Sequence, residues 1–166
     1  MSREITGLKW ARLSKPPEWL REKRRKGSRA LGIRYERKLA ELLASRFALS
    51  HGQWFEFEDA SRQSWCQPDI ILHYEREDAA KSFGPIVLEC KLMRVENALK
   101  QLRGLYLPVV ERALRPVAPP RGIVVVKTLS HASDESPICA SLDEAIERAN
   151  EGVIPTWHWL GTNFLG

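Results

Sequence analysis

At 166 residues and 43% hydrophobic, the chain suits one domain with a single sizeable core. Residues 1–40 hold 13 Lys/Arg against 4 Asp/Glu, a net of +9, and the remainder holds 13 against 17, so the whole-chain +5 hides a basic end. No apolar run approaches the roughly 20 residues of a spanning helix, the N-terminus lacks the apolar core of a secretory signal, and the three cysteines have no metal-site spacing, so a soluble, intracellular protein is expected.

Reduced thiols then fit a cytoplasmic protein, or one of the host cytoplasm if the chain is viral. Residues 1–26, with Trp10, Pro16-Pro17, Trp19 and the run from Arg21 to Lys26, read as a basic N-terminal arm partly ordered by its tryptophans, ahead of a domain over 27–166. From Ser28 the spacing of Leu31, Tyr35, Leu39, Leu42, Leu43 and Phe47 predicts a helix to about 48. Trp54, Phe55 and Phe57 alternate with polar residues over 53–58, predicting a half-buried strand. Ile70 to Tyr74 is a second strand entered through Pro68-Asp69, and Pro85 to Leu92 a third, across the charged connection 75–84. Glu96 to Arg115 carries a helical stripe in which Pro108 is a kink or a break. Arg121–Val126 reads as a central strand covered on both faces, Ser141 opens a short capped helix, and Ile154 to Leu160 is a last strand. Three strands in succession imply an antiparallel meander, and the strand after the long helix joins in parallel by a crossover. The expected class is α/β, a mixed central sheet flanked by helices.

Glu89 and Lys91 stand two apart in an apolar strand, so both emerge on one face while Cys90 turns to the other. If the Asp69 and Glu89 strands pair as a hairpin, Asp69 comes alongside Glu89. Two such carboxylates repel, and a divalent cation, Mg2+ with Mn2+ able to substitute, removes the conflict. Such an ion activates water and neutralises a phosphate, and Lys91 beside it stabilises the transition state's negative charge. Glu36 lies along the apolar stripe of the first helix and needs a partner, either a buried cation or the same metal cluster. The bland alternative for Asp69, Glu89 and Lys91 is a surface ion-pair ladder.

Asp69 after a proline, Glu89-x-Lys91 on the next strand and Glu36 on a preceding helix resemble the PD-(D/E)XK nuclease superfamily. Its restriction-endonuclease-like αβββαβ core matches the order of elements. Gly32-x-x-Tyr35-Glu36-Arg37-x-Leu39 is similar to the opening of archaeal-type Holliday junction resolvases. The resemblance covers roughly residues 27–130 and implies metal ligation by Asp69, Glu89, the main-chain carbonyl of Cys90 and Glu36, with Lys91 as the catalytic amine. It also implies a homodimer acting on branched or duplex DNA, without a small-molecule cofactor. Resolvases of that type carry a serine on a loop before the Asp strand, a place open to Ser61 or Ser64. Gln101 and Tyr106 resemble a glutamine and tyrosine of the RecB-like branch, with the spacing one residue too long.

The basic residues Arg24, Arg25, Lys26, Arg29 and Arg34 are expected to contact backbone phosphates. The alternative for them is a solvated tail and an exposed helix face. Trp10 and Trp19 are expected to pack rather than stack on bases, and none of the four histidines is given a role. The function expected is a metal-dependent, structure-selective endodeoxyribonuclease serving DNA recombination or repair. The alternatives are a RecB-like exonuclease and a nuclease-fold DNA-binding protein that no longer cuts.

Overall fold

The most apolar segments become the middle of a sheet, and the aromatic hairpin before them is diverted into a sheet of its own. The computed structural model describes residues 4–21, 28–73, 76–78, 81–162 and 164–166. In chain order these form β1 (Leu8–Leu13), the single turn α1 (Glu18–Arg21), α2 (Ser28–Leu43), β2 (Leu49–His51), β3 (Phe55–Asp59), β4 (Arg62–Cys66) and β5 (Ile70–Leu72). There follow β6 (Arg76–Asp78), β7 (Lys81–Phe83), β8 (Ile86–Lys91), α3 (Val95–Gln101), a π-helical turn (Leu102–Tyr106) and α4 (Leu107–Leu114). The chain closes with β9 (Arg121–Val126), β10 (Ile138–Cys139), α5 (Leu142–Asn150) and β11 (Thr156–His158).

The main sheet has the order β10-β11-β9-β8-β5-β2. Strands β2, β5 and β8 are antiparallel neighbours, whereas β9 lies parallel to β8 and β11 parallel to β9. The α/β class and the parallel crossover through the long helix therefore stand as expected. The first strand of the meander is corrected. It is the three-residue β2, while β3 pairs with β1 and β4 in a separate three-stranded sheet. Phe55 and Phe57 explain the diversion, because they turn inward from that small sheet and pack against the long helix.

Alternation along β8 and β9 divides the core. Ile86, Leu88, Ile123 and Val125 meet α2 and α5 on one face, where Trp157 and Trp159 complete the packing. Val87, Val124 and Val126 meet α3, the π-turn and α4 on the other. Ser141 caps α5 by accepting from the Glu144 N–H at 3.2 Å, as its sequence predicts. Helix α2 stops at Leu43, short of the expected 48, and the connection 75–84 contains the small β6–β7 hairpin.

The expected arm is corrected in part. Residues 8–13 form β1, paired with β3 from Leu8 to Leu13 and packed on α4, so this stretch belongs to the body. The Asp59 carboxylate, 4% exposed, anchors its start by accepting from the N–H groups of Thr6 and Gly7.

Candidate active site

The β5–β8 ladder pairs Ile70 with Leu88, and one further step in register sets Asp69 opposite Glu89. The Cys90 N–H donates to Asp69 Oδ2 at 2.7 Å, tying the carboxylate to the neighbouring strand. Glu89 is 2% exposed and lies 3.3 Å from Lys91 Nζ through its Oε1, while its Oε2 is buried with no hydrogen-bond partner. Alternation puts Glu89 and Lys91 beside Val87, on the face of the long helix, and turns Cys90 towards the α2 face. Glu36 reaches the cluster from α2, close enough to Asp69 to share a hydrogen bond. Asp69, Glu89, Lys91, Cys90 and Glu36 are thus brought together as the sequence led one to expect.

The electrostatics of this cluster are unfavourable. Burial, then the Glu36 carboxylate, push Asp69 from its ordinary 3.8 up to about 7, against the opposing pull of the Cys90 N–H and Lys91. Burial and then Asp69 push Glu89 well above its usual range in the same way. Burial followed by Glu89 pushes the Cys66 thiol up to about 12. Several negative charges facing one small volume, together with an orphaned carboxylate oxygen, are chemically complementary to a hard divalent cation with oxygen ligands. Among the described residues, no group of three or more His, Cys, Asp or Glu meets as a ready metal-binding set. The fit therefore rests on the donor chemistry and on the unpartnered Glu89 oxygen, with Asp69, Glu89, the Cys90 carbonyl and Glu36 as the groups that would hold the ion.

Two features escaped the sequence reading. His51 Nε2 lies 2.9 Å from Glu36 Oε1, although no histidine was given a role. Its strand is only three residues long, too short for periodicity to reveal. The second is the π-turn. Residues five apart in an α-helix point about 140° away from each other, whereas a π-turn, with its i to i+5 bond, brings them onto nearly the same side. Leu107 N–H donates to the Leu102 carbonyl in this manner. Gln101 and Tyr106 consequently flank one turn. The Tyr106 phenol is pushed upward by burial first and then by the nearby Glu89 and Asp69 carboxylates. Gln101 Oε1 is buried without a hydrogen-bond partner.

Other expected positions are less central. Ser61 sits in the tight β3–β4 turn at φ 128° and Ser64 inside β4 opposite Phe57, so both belong to a hairpin rather than to a free loop before Asp69. Arg34 is exposed on α2. Arg24, Arg25 and Lys26 lie outside the described residues, and Arg29 is placed only as backbone in α2. Trp19 is 62% exposed and meets Trp65 edge to face, with ring centroids 6.4 Å apart, and the Arg12 guanidinium lies 5.2 Å from the Trp10 ring.

No family model and no curated protein matches the chain. One solved structure, protein VC1899 from Vibrio cholerae, is similar at 14% identity and a TM-score of 0.36, over 74% of this chain and 28% of that one. No helix among the described residues is long and apolar enough to cross a membrane.

Proposed function

We propose that the protein is a divalent-metal-dependent endodeoxyribonuclease of PD-(D/E)XK type, selective for branched DNA and acting as a homodimer. The observation that carries this reading is the in-register meeting of Asp69 and Glu89 beside Lys91, with one buried Glu89 oxygen left unpartnered. Asp69, Glu89 and the Cys90 carbonyl, joined by Glu36, would hold Mg2+ or Mn2+. Bound there, the ion supplies an acidified water and neutralises charge on the phosphate.

The protein's own groups do the rest. Lys91, its side chain 30% exposed, presents an ammonium group to solvent beside the buried carboxylates and donates to an oxygen of the attacked phosphate as negative charge builds there. The Cys90 N–H fixes Asp69, so its carboxylate needs no reorganisation when substrate arrives. The basic segment from Arg24 to Arg34 contacts backbone phosphates and supplies affinity without reading sequence.

The test is to incubate the protein with labelled four-way junction, linear duplex and single strand, each with Mg2+, Mn2+ or chelator. Junction nicking that needs metal and disappears in Lys91→Ala supports the reading. Tight binding without product under every metal favours a nuclease-fold protein that no longer cuts. A RecB-like exonuclease is a second reading, favoured by the Gln101–Tyr106 turn. Progressive loss of nucleotides from duplex ends, with the junction centre intact, would select it.

A further inference from the structure

Glu36 is the one carboxylate of the cluster that comes from a helix, so its place relative to the strands has to be fixed across an element boundary. His51 stands at the end of β2, in register with Ile70, the residue that follows Asp69. The next N–H, that of Gly52, donates to the Asp69 carbonyl at 2.9 Å. The imidazole is therefore built on the strand beside Asp69, and its Nε2 lies 2.9 Å from Glu36 Oε1. The Glu36 side chain is 16% exposed and that of His51 36%, so the contact lies at the solvent-facing mouth of the cluster. A carboxylate oxygen accepts, so the ring nitrogen facing it, Nε2, carries a proton and donates.

We infer that His51 is a positioning residue: its Nε2–H grips one oxygen of Glu36 and leaves the carboxylate set towards Asp69 for a divalent cation. This rests on the nuclease reading, in which Glu36 is a ligand. Hydrogen bonds of this kind orient metal-binding carboxylates, and their loss weakens affinity about 10- to 100-fold.

Mn2+ binding to the full chain, followed by calorimetry or by electron paramagnetic resonance of free Mn2+, tests it without reference to cleavage. His51→Ala should weaken binding about 10-fold or more. His51→Gln, which can present an amide N–H near the same point, should recover most of that loss. In a Glu36→Gln background, His51→Ala should change little further, because the two residues act through one contact. Nicking by His51→Ala should recover at saturating Mn2+. Unchanged affinity in His51→Ala, or a loss that adds in full to that of Glu36→Gln, overturns the positioning role and leaves the nuclease reading intact. Absence of Mn2+ binding by the unaltered protein overturns both.

Discussion

At the scale of single residues, the centre opposes the fold that contains it. Asp69 and Glu89 titrate higher folded than unfolded, so the folded chain holds more protons than the unfolded one between about pH 4 and 7. The Asp69 contribution to stability is full below the ordinary carboxylate range and is lost as pH rises through about 7, and Glu89 acts in the same sense. Asp69→Asn should therefore raise the metal-free melting temperature at pH 8 by several degrees, on the order of 2–4 kcal/mol, and change it little at pH 4. Millimolar Mg2+ should stabilise the parent at pH 8 and leave Asp69→Asn unmoved. Thermal melts at the two pH values check both. Glu56 works in the opposite sense: burial raises it, but hydrogen bonds from Arg12 and Gln63 and the Arg12 charge outweigh burial and hold it low. It is a structural carboxylate, and the contrast marks Asp69 and Glu89 as placed against stability. These two and Lys91 were legible in sequence because strand alternation fixes which side chains share a face. The His51 contact was not, because it depends on how close a helix and an edge strand approach.

At the scale of elements, the N-terminal segment and the long helix are one assembly. Pro108 has no N–H to offer the Gly104 carbonyl, the partner it would have in an uninterrupted α-helix. That carbonyl instead accepts from Ile5 N–H at 2.8 Å, and Arg112 donates to the Lys9 carbonyl at 2.8 Å. A side chain at position 104 would meet Glu4 Cγ at 2.9 Å. Removing residues 1–13 should therefore lower global stability, by exposing Phe55, Phe57 and the α4 face, and not merely weaken DNA binding. Denaturant unfolding of the truncated chain measures this, and an unchanged midpoint would return the segment to the status of an arm. Gly52, at φ 67°, makes the turn that aligns β2 with Asp69, so Gly52→Ala should cost about 1–2 kcal/mol. The helices and β8 and β9 were legible because each is long or strongly apolar. Strands β1 and β2 were not, since their pairing comes from partners far along the chain and not from their own periodicity.

For the whole molecule, the sheet sorts the chain by function. Its middle strands carry the core, and the end of β8 carries the acidic centre. The basic surplus lies in the first forty residues, whose helix α2 delivers Glu36 to the same place with Arg34 and Arg37 exposed beside it. Affinity for DNA should fall steeply with salt, and Arg34→Glu should weaken binding to junction and duplex alike and flatten the salt slope by about one. Titrations at several salt concentrations follow this directly, and selective loss for one DNA would assign Arg34 to shape recognition. The central claim is that the buried carboxylates exist to hold a cation. Anomalous diffraction from crystals soaked in Mn2+ addresses it most directly. A peak between the Asp69 and Glu89 carboxylates, lost in Asp69→Asn, is the expected result. A clean map there, with the Glu89 oxygen still unpartnered, would contradict it.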